Sequence, residues 1–228
     1  MTQFTYPIGI HNELNPVLWD SNKTLLPEVE LALLRIAKEF YRFLDVKAKI
    51  VDIVVSGSQA NYNYSPYSDL DLHLIIPISD IECDEPIEEL FDTKRKLWKE
   101  RHNIEIYDIP VELYAEDQAK PAVSSSYSII KRQWINSPDA PIISYNITEV
   151  KRKVVLWTRV IQAAIRSRDL KKCEMVSDLL MKYRKAGLAA DGEFGVPNLT
   201  FKSLRNSKLV GKLHDTINSL KDQDLSLD

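Results

Sequence analysis

The stretch VVSGSQANYNYSPYSDLDLHLII, Val54–Ile76, decides how the rest of the chain is read. Its first residues belong to a short β-branched run, Ile50–Ser56, the composition of a buried strand. Gly57-Ser58 ends that run. A loop of nine residues rich in Asn and Tyr follows, and then Ser68–Ile76 alternates strictly. Leu70, Leu72, Leu74 and Ile76 fall on one side, and Asp69, Asp71 and His73 on the other. That period of two is a strand with unlike faces, closed by Pro77.

The chemistry of this stretch follows from its residue types. A glycine at a sharp strand end lets backbone approach a ligand closely. Ser58 adds a hydroxyl and a backbone N–H, the makings of an anion cradle. Asp69 and Asp71, two apart on a strand, aim two carboxylates at one side. Each would prefer a proton unless a cation intervenes. Hard oxygen donors of this kind suit Mg²⁺, which keeps waters and draws its other ligands from phosphates. A third acid on a neighbouring strand would complete such a site. Glu112, between Val111 and Leu113, is the candidate, with Asp108, Glu105, Glu116 and Asp117 as rivals.

Working outward, Pro27 opens a helical pattern through Leu44, with Leu31, Leu34, Tyr41 and Leu44 beside Val29, Leu33, Ile36 and Phe40. Residues 1–26 carry few periodic apolar positions and read as an arm. Asp84–Arg101 reads as a second helix, its stripe made by Ile87, Leu90, Phe91, Lys94, Leu97 and Trp98. Ile104–Ile106 and Val111–Tyr114 are strand-like, and Tyr127–Ile135 adds an edge strand or turn. From about Glu149 the pattern is helical. Val150, Val154, Trp157, Ile161 and Ile165 form one face; Leu170, Cys173, Val176, Leu180 and Tyr183 form another. Gly187 is expected to stop that second helix, and a last helical region is expected from about Leu199 to Leu220. The fold class is therefore α/β (α+β): a small mixed sheet flanked by helices over residues 1–147, and a helical C-terminal domain over 148–228.

Taken together, these residues resemble the signature of the DNA polymerase β-like nucleotidyltransferase superfamily. There a hydrophobic strand leads into Gly-Ser, a second strand carries Asp-x-Asp, and the third acid sits on a later strand. The resemblance covers about residues 50–117. It implies that Asp69 and Asp71, with Glu112 by order and context, are catalytic metal ligands. It implies that Gly57 and Ser58 hold a triphosphate. Ser68, which opens the second strand, and Lys153, from a basic cluster, are further nucleotide-binding candidates. The implied reaction is Mg²⁺-dependent (or Mn²⁺-dependent) transfer of a nucleoside monophosphate from an NTP, with ATP as the expected donor, to a hydroxyl of RNA, a small molecule or a protein. Gln59 stands where a basic residue often follows the serine, and Glu112 where Asp is common. A catalytically degenerate fold acting as a nucleotide- or nucleic-acid-binding module is the alternative.

Composition bounds these readings. The 228 residues carry a net charge of −3, with 44% hydrophobic and 28% charged side chains, the proportions of a globular chain. Cys83 and Cys173 make no disulfide framework, which points to a reducing, cytoplasmic setting. No apolar run approaches the ~20 residues that span a bilayer, so no membrane is expected as a partner. The charge is unevenly spread. Residues 1–147 hold 14 basic and 23 acidic side chains, whereas residues 148–186 hold 11 and 4. That basic segment, with Lys151, Arg152 and Lys153 at one end, is suited to offset phosphate charge.

Overall fold

The structure is a computed structural model that describes residues 9–81, 86–119, 124–138 and 146–226. Cys83 and the expected helix start at Asp84 lie outside the described residues. The described residues divide into two compact units, 9–138 and 146–226.

The first unit is built on a six-stranded mixed sheet. Its strands are β1 (Asp52–Ser56), β2 (Leu70–Ile76), β3 (Glu105–Ile106), β4 (Ile109–Asp117), β5 (Ser126–Ser128) and β6 (Gln133–Asn136), in the order β3-β4-β2-β1-β5-β6. β2 and β4 run parallel; the other pairs are antiparallel. A parallel pair needs a crossover, and α2 (Ile87–Arg101) supplies it. α2 packs on β4, and α1 (Pro27–Leu44) packs on β2. The leucines of β2 account for that arrangement. Leu70, Leu72, Leu74 and Ile76 are wholly buried, while Asp71, His73 and Ile75 between them are half-buried.

The helical stripes are narrower than their spacing suggests. α1 buries Val29, Leu33, Ala37, Phe40 and Leu44, but Leu31 faces solvent. α2 buries only Phe91 and Trp98; Leu97 is exposed. Trp98 packs edge-on to Phe40, with ring centroids 5.4 Å apart. Lys94 Nζ reaches the Phe43 carbonyl at 3.2 Å, satisfying one of the orphan acceptors at the end of α1.

The expected turn at Asp108 is a two-residue hairpin. Tyr107 and Asp108 both have positive φ (50° and 62°), the twist that suits tightly joined antiparallel strands. The expected edge element at 127–135 resolves into two strands, β5 and β6, and β5 pairs directly with β1. The described part of the arm, residues 9–26, buries Leu14, Leu18, Trp19 and Leu25.

The second unit holds α3 (Ile147–Ser167), α4 (Leu170–Asp191), α5 (Val196–Asn206) and α6 (Leu209–Leu225). Asn146 and Asp169 cap the first two, each accepting a backbone N–H at 3.0 Å. Two expectations are corrected here. Gly187 does not stop its helix: α4 continues through it to Asp191, and a Cβ at Gly187 would collide with the Pro197 ring. The glycine is needed for close approach of α5. The final helical region is two helices, parted where Lys208 takes a left-handed conformation (φ 60°).

Candidate active site

Strand register brings the sequence motifs together. Asp71 pairs with Ser56 on one side and with Glu112 on the other, and Ser56 pairs with Ser126. Directly paired residues share a face. The result is a polar row across four strands: Ser126, Ser56, Asp71, Glu112. Asp69 lies just outside this row, on the residue before β2 begins, rather than within the strand as its alternation suggests.

Gly57 follows Ser56 and lies beside the middle of the row, against Asp71. Its φ is +73°, and a Cβ built there would fall on the Asp71 carboxylate. Only a residue without a side chain allows that carboxylate to lie against the turn. Gly57–Ala60 then forms a single 3-10 turn, placing Ser58 half-exposed beside the row.

Glu112 is held from α2. Lys99 Nζ lies 3.0 Å from its Oε1, and Arg95 Nη1 lies 3.4 Å from the same atom. Burial pushes the Glu112 carboxyl up, but the Lys99 hydrogen bond and charge, the Tyr114 hydroxyl and the Arg95 charge outweigh it. The group is held below the ordinary glutamate range. Burial, followed by the charges of Asp71 and Glu112, pushes the Tyr114 hydroxyl strongly up, so Tyr114 remains a donor. Arg95 also sits over the Tyr114 ring, 5.1 Å from its centroid. Of the rival acids, Asp108 is in the hairpin turn and Glu105 lies on β3 at the sheet edge.

His73 lies one step along the same face. Its Nε2 is 2.8 Å from Ser56 Oγ, its Nδ1 is 3.3 Å from Glu116 Oε2, and its ring stacks on Tyr114 at 4.7 Å. It bonds locally, as a histidine on a polar strand face ordinarily does.

Other sequence candidates serve the loop. Ser68 is buried, its Oγ accepting the Ser65 N–H at 3.0 Å. Gln59 is buried too: Asn15 donates to its Oε1 at 3.0 Å, and its Nε2 donates to the Ser68 carbonyl at 3.1 Å. It braces the arm against the loop, so the position after the serine is filled for structure. Tyr62 is buried and Tyr64 stacks on His11 at 3.7 Å, while Tyr67 stays exposed. Lys153 is on α3 in the other unit, with Glu149 at 3.8 Å.

Sequence reasoning missed Ser56, Arg95, Lys99, Tyr114 and Ser126. The alternation of Glu112, Tyr114 and Glu116 against Val111, Leu113 and Ala115 carries a signal for Tyr114. Nothing local to α2 marks Arg95 or Lys99.

Asp69 and Asp71 offer the donor chemistry that Mg²⁺ takes, two carboxylates separated by one residue. Among the described residues, no group of three or more His, Cys, Asp or Glu side chains is arranged to hold a metal ion. Glu112 turns its Oε1 to Lys99 and Arg95 instead. Among the described residues, no helix is long and apolar enough to cross a membrane.

No protein-family model and no curated protein matches the chain. Among solved structures it is similar to the STING-associated CdnE c-di-GMP synthase from Capnocytophaga granulosa, with 12% identity over 88% of this chain and 84% of that chain, at a TM-score of 0.23. A superposition that loose sets no residue-by-residue correspondence.

Proposed function

We propose that the chain is a Mg²⁺-dependent nucleotidyltransferase that moves a nucleoside monophosphate from an NTP to an acceptor hydroxyl, releasing pyrophosphate. The observation that supports it best is the packing of the Asp71 carboxylate against Gly57, with Glu112 in register on the next strand. In this reading the Gly57–Ser58 turn presents backbone N–H groups and a hydroxyl to the β- and γ-phosphates. Asp69 and Asp71 hold the metal, for which two carboxylates suffice when phosphate and water supply the remaining ligands. Bound Mg²⁺ would neutralise charge on the triphosphate and make the acceptor hydroxyl easier to ionise. Glu112, kept ionised by Lys99 and Arg95, positions the acceptor hydroxyl for in-line attack at the α-phosphorus. Preorganised charge and positioning carry most of the rate.

The test is transfer of label from each α-labelled NTP, with Mg²⁺, to acceptors in a cell extract. Wild type should label an acceptor with release of pyrophosphate, and Asp71→Ala should not. Equal labelling by both proteins overturns the assignment. One observation favours a second reading. Glu112 is already satisfied by two cations, as in a site that binds nucleotide without turnover. Saturable, Mg²⁺-dependent NTP binding with no pyrophosphate release would select that reading.

A further inference from the structure

The helical unit contains a cation cluster of a different kind from the basic ends of its helices. Arg184, on α4, is half-buried. Its guanidinium lies over the Phe201 ring, 4.5 Å from the centroid, and its Nε donates to Asn198 Oδ1 at 3.3 Å. Asn198 is itself buried and fixed, donating through Nδ2 to the Glu193 carbonyl at 2.7 Å. The bracing uses only Nε. Among the described residues, no acceptor engages either Nη, so the planar fork of the guanidinium is left presented.

Phe201 and Arg205 are four apart on α5, which places them on one face of that helix. Arg205 therefore comes up on the same side as Arg184. Among the described residues, neither arginine has a carboxylate within ion-pair distance. Burial, and then the charge of Arg205, hold the Arg184 guanidinium below its ordinary value, and the charge of Glu193 offsets this only in part. Two like charges with no carboxylate in ion-pair contact among the described residues, one braced by an asparagine and an aromatic ring, are costly to maintain. A bound oxyanion relieves that cost, and a fork with both Nη groups presented matches one bidentately.

We propose that Arg184, braced by Asn198 and Phe201 and joined by Arg205, forms an oxyanion site that takes a phosphate group. Its residues belong to the helical unit and are other than Asp69, Asp71 and Glu112, and the site needs no catalysis to be occupied. Inorganic phosphate, a mononucleotide and the backbone of an oligonucleotide share the chemistry that it recognises.

The experiment uses the full chain with ¹⁵N-labelled arginine. The Nε–H signal of Arg184 is identified by its loss in Arg184→Lys. Inorganic phosphate, AMP and a short single-stranded RNA are titrated in turn at fixed ionic strength, with chloride as control. The Arg184 signal should shift saturably with phosphate and not with chloride. Arg205→Gln, an exposed change that spares the fold, should weaken that binding about tenfold. Equal affinity for AMP and phosphate assigns the site to the phosphate group alone; tighter binding of AMP or RNA assigns it to a nucleotide or a strand. No saturable shift with any of the three overturns the proposal, as does an Arg205→Gln variant that binds like wild type. Asp71→Ala should leave the titration unchanged, so loss of nucleotidyl transfer does not affect the outcome.

Discussion

Gly57 has the most constrained position in the candidate site, because two independent restrictions meet there. Its φ of +73° is a conformation that costs an L-residue about 1–2 kcal/mol, and the Asp71 carboxylate occupies the space of a Cβ. Gly57→Ala should therefore lower the unfolding midpoint modestly and cut label transfer by far more, since Asp71 must move to admit the methyl group. An alanine variant with full activity would remove Gly57 from the site. The pairing of Glu112 with Lys99 makes a second prediction, in pH. The Glu112 carboxyl is depressed in the folded chain. The stability that it contributes is then present above the ordinary glutamate value and is lost as pH falls through the depressed one. Acid unfolding followed by circular dichroism should show this loss in wild type. Lys99→Met should flatten it, because the hydrogen bond and the nearest charge are gone. An unchanged acid limb would mean that the pairing does not persist in solution.

At the scale of elements, the sheet was legible where alternation was strict. The four leucine and isoleucine positions of β2 give its buried face directly, and the polar alternates give the site face. Asp69 was misplaced by a single residue because alternation does not mark where pairing begins. Glu112 was legible as an outward acid between two apolar neighbours. Its engagement with Lys99 and Arg95 was not, because the residues lie thirteen or more apart and meet only through the crossover. Gln59 was read against a phosphate contact, but its contacts come from Asn15, far back in the arm. Gly187 shows the same limit in a helix. A glycine near the end of a pattern reads as a stop, whereas here it sits inside α4 so that Pro197 can pack against the helix. Gly187→Ala tests which effect is larger. Helix propensity alone favours alanine by about 1 kcal/mol, yet the methyl group would meet the ring carbons of Pro197. Thermal unfolding should show net destabilisation; a raised midpoint would mean that α5 moves away at little cost.

For the whole molecule, a net charge of −3 conceals an acidic segment up to residue 147 and a basic one over residues 148–186. With a Debye length of about 8 Å at physiological salt, a polyanion near the basic helices senses those helices and not the total. The cations of α3 are not equivalent, however. Arg152 lies 2.7 Å from Glu149 and Lys153 3.8 Å from it, so part of their charge is already answered. Lys151 and Arg159 line the same shallow groove beside exposed Val155 and Leu156, and neither has a carboxylate partner among the described residues. They should therefore dominate any phosphate contact made by α3. Binding of single-stranded RNA, measured over a salt series, should give a falling double-logarithmic plot whose slope loses roughly 0.7 for each phosphate contact removed. The paired change Lys151→Ala with Arg159→Ala should lower the slope by about 1.4, and Arg152→Ala by less than either single change. A slope that the double variant leaves untouched would mean that Lys151 and Arg159 meet no phosphate and that their charge is a solvated face.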